Sequence, residues 1–345
     1  MDIRHDIWTV KYRPKKLDEV LGNSSSLKTL AELAHSASFP HLVLHGPENS
    51  GKTTASLALA FELYGESWKS NFTYFNASDF FEQGKNYLVR DRRFIRIIGT
   101  EDPKKIYKSV IDIFKEIINK YSGMAPLDSA YRLIYIDNAE ALSQEAQQAL
   151  RRIMERYSST CRFILSTTSP SKLIAPLLSR GVRLFFTYVP EEVLKPHLEK
   201  IASEEKLELE AGALDAILYA SKGNVAEAVR TLQLAALEAG ESGTVSGELV
   251  YEVTVKGLDE SIEKLFRASR AGKFQEARKL IDEMLIDKGL SGAEILKGLS
   301  EAALGSGETE EELALIISKI AETDFYLLDA ANERIQLERL AASLY

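Results

Sequence analysis

The run Gly46-Pro47-Glu48-Asn49-Ser50-Gly51-Lys52-Thr53-Thr54 carries the strongest chemical signal in the chain and fits G-x-x-x-x-G-K-[ST]. Glycine-rich backbone can curl its N–H groups around phosphate oxygens. A helix opening there adds the partial positive charge of its N-terminus. In such a loop the Lys52 ammonium reaches the β- and γ-phosphates of a nucleotide, and the Thr53 hydroxyl ligates Mg²⁺. A second signal is Leu133-Ile134-Tyr135-Ile136-Asp137, an apolar run ending in an acid. Ligands gather at the C-terminal ends of strands in open α/β sheets, so Asp137 is a candidate to hold Mg²⁺ through a water. An Asp after a strand can also cap a helix. The phosphate loop upstream favours the metal role.

These residues need a sheet to hold them. Strand-like runs fall at His41–His45, Phe72–Phe75, Tyr131–Ile136, Arg162–Ser166 and Arg183–Phe186. Helical patterns lie between most of them, at residues 52–64, 103–121 and 143–157. Strands alternating with helices predict an α/β fold with a parallel sheet. Beyond Pro190 the strand signals nearly vanish. Helices are expected over 191–205, 211–220 and 225–239, then 246–270, 274–286, 291–303, 308–322 and 325–343. The stretch 239–244 reads as a linker. Three parts follow: a core over 1–189, a small helical domain over 190–243, and a helical C-terminal domain over 244–345.

Composition narrows the class. With 45% hydrophobic and 27% charged residues, disordered and collagenous chains are excluded. No apolar run approaches the ~20 residues that span a bilayer. The residues Met1–Asp6 lack a signal-peptide core. Cys161 is the only cysteine, which leaves no internal disulfide. A cytoplasmic location is expected. The net charge of −8 argues against nucleic acid only until it is divided. Residues 1–190 hold 26 Lys and Arg against 20 Asp and Glu, a surplus of 6; residues 191–345 hold 17 against 31, a deficit of 14. The half with the phosphate loop is basic.

Several runs together resemble the small subunits of replication factor C, the sliding-clamp loader of archaea and eukaryotes, within the AAA+ ATPases. They are Trp8-Thr9-Val10-Lys11-Tyr12-Arg13-Pro14, the phosphate loop, Asn76-Ala77-Ser78-Asp79, Ala146-Gln147-Gln148-Ala149-Leu150-Arg151-Arg152, Leu178-Ser179-Arg180 and Ala331-Asn332-Glu333-Arg334-Ile335-Gln336-Leu337. The resemblance implies a P-loop AAA+ core, a helical lid and an all-α collar. It implies ATP and Mg²⁺ as ligands and a hetero-pentameric ring of loader subunits. Its further partners are the clamp PCNA and the backbone of primer–template DNA. It also implies that Tyr12 and Arg13 close over the nucleotide, with Gly46, Pro47, Asn49, Ser50, Gly51, Lys52, Thr53 and Thr54 around the phosphates. Arg151 and Arg152 would track DNA, or else make surface ion pairs. Ile106, Tyr107, Val110 and Phe114 would face the clamp, or else join the core.

The departures from that family are specific. Active members follow the magnesium Asp with a Glu that activates water; here the position is Asn138, and Glu140 two residues on is a poor substitute. An amide has no titratable base. The run Leu165-Ser166-Thr167-Thr168 puts Thr168 at a sensor position usually held by Asn. In Gly223-Asn224-Val225-Ala226-Glu227, Ala226 stands where a lid Arg would touch the γ-phosphate. Arg180 is retained and is expected to act in trans, as an arginine finger for a neighbouring subunit; alone it would read as a surface arginine. The expected chain binds ATP, hydrolyses it weakly and activates a neighbour. A fully active ATPase subunit and a nucleotide-locked scaffold are the alternatives. About twenty residues, Phe80 to Gly99, interrupt the family pattern with aromatics and cations. They would add a DNA or clamp contact, or cover their own apolar side. The insertion and the reduced site suggest the second small-subunit type of some archaea.

Overall fold

The computed structural model describes residues 7–36, 39–127, 129–240, 243–255, 259–287, 290–328, 330 and 332–345. Met1–Asp6, part of the expected linker and Ala331 lie outside the described residues. The chain forms two compact units. One comprises residues 1–208 and 217–233, the other 209–216 and 234–345.

The first unit is built on five parallel strands: β1 (His41–His45), β2 (Phe72–Asn76), β3 (Arg132–Asp137), β4 (Cys161–Thr167) and β5 (Gly181–Phe185), in the order β2-β3-β4-β1-β5. The three inner strands are buried along almost their whole length and apolar through their middles, as suits strands covered on both faces. One side packs Leu42, Leu44, Leu59, Tyr135 and Ile164 into a core. The other packs Val43, Phe75, Phe114, Ile134, Leu150 and Phe163. All five strands match the expected ones to within two residues.

The helix Lys52–Tyr64 follows β1 through the phosphate loop, and Gln144–Arg156 packs on the other face. The helix expected over 103–121 is shorter. Pro103–Lys105 forms a single 3₁₀ turn capped by Asp102, and the α-helix starts again at Val110. Ser109 causes the restart, because its side chain caps the Asp112 N–H at 3.1 Å. Ile106 and Phe114 are buried, Val110 is partly so, and Tyr107 is 94% exposed. Of the four residues assigned to a clamp-facing surface, only Tyr107 stands free of the core.

The insertion folds as three short helices, Ala77–Glu82, Lys85–Leu88 and Arg92–Ile98. Phe80, Leu88 and Phe94 are buried with Phe75 and Phe114. Arg93 grips Asp91, while Arg90, Arg92 and Arg96 are exposed. Its apolar side is therefore self-covering, and three of its cations face outward.

In the second unit, helices Asp259–Arg270, Phe274–Asp282, Gly292–Gly305, Glu310–Leu327 and Glu333–Ser343 enclose Ile262, Leu265, Phe266, Ile316 and Ile320. The expected 246–270 helix is two helices, Gly247–Val255 and Asp259–Arg270. The expected 325–343 helix begins only at Glu333, because Asn332 caps it through the Arg334 N–H. Among the described residues no helix is long and apolar enough to cross a membrane.

Candidate nucleotide site

The phosphate loop joins β1 to the helix Lys52–Tyr64. Gly46 must be glycine: its φ is +147° and a Cβ there would lie 1.9 Å from the Phe186 carbonyl. Asn49 takes a left-handed turn that Asn tolerates. Asn23, not singled out in the sequence, ties the loop down. Its Nδ2 donates to the carbonyls of Ser50 and Thr187, both at 3.1 Å, and its Oδ1 accepts from the Thr187 N–H.

Lys52 is buried, and its ammonium donates to the carbonyls of Gly46 at 2.9 Å and Pro47 at 2.6 Å. Burial pushes its pKa down against the opposing pull of Asp137, Glu140 and Glu48. A ligand with phosphate charge would replace these carbonyls as the ammonium's partner. The loop residues Asn49 to Thr54 line a cavity of about 480 Å³, together with Tyr12, Arg13, Asp137, Asn138 and Thr168. The loop geometry and the cation fit a nucleotide. Thr53 Oγ1 and Asp137 Oδ2, 3.3 Å apart, form a hard-oxygen pair suited to Mg²⁺. Gly46 and Pro47 contribute carbonyls to the Lys52 ammonium.

Tyr12 is held by its hydroxyl donating to Glu205 at 2.6 Å, and Lys11 reaches the same carboxylate at 2.6 Å. The Trp8 N–H donates to Gln233 at 3.0 Å. These bonds fasten the N-terminal segment across the cavity. Arg13 is exposed at its edge.

Asp137 closes the end of β3. Its carboxylate accepts from Tyr74 Oη at 3.1 Å and Tyr135 Oη at 3.2 Å. Burial first, and Asp137 second, push both phenol pKa values up, so both phenols stay neutral. Neither tyrosine was evident as a site residue in the sequence; the only signal was two phenols in otherwise apolar strands.

Asn138 takes a left-handed conformation, φ +49°, and its Nδ2 donates to Asn76 Oδ1 at 3.3 Å. The Asn76 carboxamide also caps the Ala77–Glu82 helix. Glu140 stands two residues beyond Asn138. It lies in a 3₁₀ turn, Ala139–Ala141, and accepts from Thr168 N–H at 3.0 Å and Thr168 Oγ1 at 2.5 Å. Burial raises the pKa of this carboxyl, but the Thr168 bonds outweigh that and hold it below its ordinary value. Ala226 lines the cavity, and so does Arg230 one helical turn on, with its guanidinium 2.9 Å from Glu227. His197 also lines it.

Arg180 is not among the residues lining this cavity; it lies between the short helix Ala175–Leu178 and β5. Its guanidinium donates to the Pro176 carbonyl at 2.7 Å and pairs with Glu155. Arg152 is exposed, as expected. Arg151 is only half-exposed, and its buried Nε–H has no hydrogen-bond partner among the described residues. The adjacent Gln147 is buried and staples three backbones, donating to Leu142 and Lys172 carbonyls and accepting from Ile174 N–H.

Comparison with known proteins agrees with this architecture. Residues 42–188 match the model of the ATPase family associated with various cellular activities, and residues 258–343 match the replication factor C C-terminal domain. A replication factor C small subunit of Methanococcus maripaludis strain C7 is 37% identical over 338 residues, covering 98% of each chain. One from Archaeoglobus fulgidus is 35% identical over 98% of this chain and 97% of its own. The fold is also similar to the Thermotoga maritima RuvB Holliday-junction branch-migration motor, with a TM-score of 0.51 at 21% identity over 74% of this chain and 78% of that one. The family models, the phosphate loop and the near full-length relatives converge: the chain belongs to the replication factor C small-subunit family of AAA ATPases.

Proposed function

We propose that this chain is a nucleotide-holding, finger-donating subunit of a clamp-loader ring. In this reading its own site binds ATP with Mg²⁺ but hydrolyses it weakly. Lys52 and the loop backbone grip the phosphates, Thr53 and Asp137 face the metal, and Mg²⁺ supplies charge neutralisation when bound. Tyr12 and Arg13 lie over the nucleotide. Arg180 reaches a neighbouring subunit's site, where it stabilises charge on the transferring phosphoryl group. Residues 1–189 act as core, 190–243 as lid and 244–345 as collar, in the cytoplasm. The other ring members, PCNA and primer–template DNA are the partners, with Arg151 and Arg152 on the DNA backbone.

The observation that carries the reading is the pairing of Asn138 with Asn76 at the base position, while the phosphate grip is complete. An amide bonded to an amide cannot take a proton from water. Arg180 is bound to Glu155 within the chain, so it exchanges that carboxylate for phosphate on engaging a neighbour. Reconstitution with partner subunits tests the reading. Loading of PCNA on primer–template DNA should require this chain and fall sharply with Arg180→Ala. Full loading in the absence of the chain contradicts it.

A further inference from the structure

The helix Val225–Ala239 offers the nucleotide cavity two adjacent rows of side chains. Val225 and Val229 form one row, Ala226 and Arg230 the other. All four belong to the same compact unit as the phosphate loop. The first row is apolar and, with Leu21 and Val189, suits the face of a base. The second row is nearly bare at Ala226 and ends in a cation at Arg230. Long side chains on a helix lean toward its N-terminus. Arg230 does so: its guanidinium donates to Glu227 Oε2 at 2.9 Å, in the turn before its own Cα. The charge is thereby carried back by about one turn, ~5.4 Å along the axis, toward the level of Ala226. The single methyl group of Ala226 leaves room for it there.

Among the described residues Glu227 is the only hydrogen-bond or ion-pair partner of Arg230. Both side chains of that pair reach solvent, so the pair is weak and open to exchange. A phosphate is the stronger partner, because its oxygens match the guanidinium fork and carry more charge. The other cations lining the cavity stand elsewhere. Lys52 opens the helix after the phosphate loop, and Arg13 lies on the N-terminal segment.

We propose that Arg230 leaves Glu227 to bind the terminal phosphate of a nucleoside triphosphate, supplying from one turn further along the helix the cation that Ala226 lacks. The inference rests on the nucleotide reading above and deepens it: the site tells triphosphate from diphosphate. Such a contact tightens retention of the triphosphate. It does not replace the base missing at Asn138, so hydrolysis stays weak.

The test is titration of the full chain with fluorescent analogues of ATP and ADP, both in Mg²⁺ buffer. Wild type should bind the triphosphate more tightly. Arg230→Ala should weaken the ATP analogue about tenfold, the low end for a hydrogen bond to a charged group, and shift the ADP analogue by less than about twofold. Arg230 is exposed, so its loss leaves the fold intact. Glu227→Gln removes the competing carboxylate and should tighten the ATP analogue by up to about fivefold. Equal losses for both analogues in Arg230→Ala, or no loss for either, overturn the inference and leave the nucleotide reading standing. Weaker binding of the ATP analogue by Glu227→Gln overturns the exchange of partners on which the inference depends. No binding of either analogue by wild type overturns the nucleotide reading, and this inference with it.

Discussion

Between Gly46 and Thr54 the loop keeps a cation ready for phosphate: Lys52 waits on two carbonyls and Asn23 braces the loop. Across the cavity, from Asp137 to Thr168, the polar groups are arranged around one another. Asp137 is surrounded by donors, Asn138 faces Asn76, and Glu140 holds Thr168. The first region keeps its charge available for a ligand, while the second spends its hydrogen bonds internally. Gripping a nucleotide and attacking it draw on different residues, so one can persist while the other fades. Arg180 sits apart from both and serves neither within its own chain.

That contrast sets the order of effects. Arg180→Ala should have the largest, about 10³-fold or more on single-turnover hydrolysis at the neighbouring site, the usual scale of an arginine finger. Unchanged hydrolysis there would remove Arg180 from the mechanism. Asn138→Glu, with its side chain now able to accept a proton, should raise hydrolysis in this chain's own site, up to the ~10²-fold at the low end of general-base catalysis. A rate that does not rise would mean that the second region is limited by something other than its missing base. Lys52→Ala should weaken nucleotide binding about tenfold to a hundredfold, the loss of one charged hydrogen-bond donor, measured by titration. Glu155→Gln releases Arg180 from a half-exposed ion pair and should speed the neighbour's hydrolysis by about fivefold at most. A slower neighbour would show that Glu155 aims the finger rather than holding it back.

A separate effect, on stability rather than turnover, lies in the sheet beneath the loop. His41 Nδ1 accepts from the Phe163 N–H at 3.0 Å and must stay neutral to do so. Burial, helped by the Arg162 charge, lowers its pKa to about 4. The unfolded chain takes up this proton near pH 6.5 and the folded chain only near pH 4. Stability from His41 is therefore complete above pH 6.5 and declines as pH falls toward 4, by at most ~3 kcal/mol. Denaturant titrations at pH 7 and pH 4.5 should show the loss, and His41→Gln should flatten part of it.

Much of this was legible in the sequence. The five strands stand out because each is a short apolar run, and the phosphate loop because its spacing is dictated by backbone sterics. The divided charge also pointed to the basic half as the ligand-binding half. What escaped were pairings between distant residues. Tyr74 and Tyr135 meet only through strand register, and Glu140 and Thr168 lie 28 residues apart. Arg180 and Glu155 lie 25 apart. Helix boundaries slipped where one capping side chain outweighed a continuing apolar period, at Ser109 and Asn332.

The central claim is that this chain holds nucleotide and activates a neighbour. It is tested most directly by comparing Lys52→Ala with Arg180→Ala in the assembled loader, reading ATPase stimulated by DNA and clamp. The account predicts a much deeper loss for Arg180→Ala, because the site that Lys52 serves contributes little turnover. Equal losses, or a deeper loss for Lys52→Ala, would contradict it.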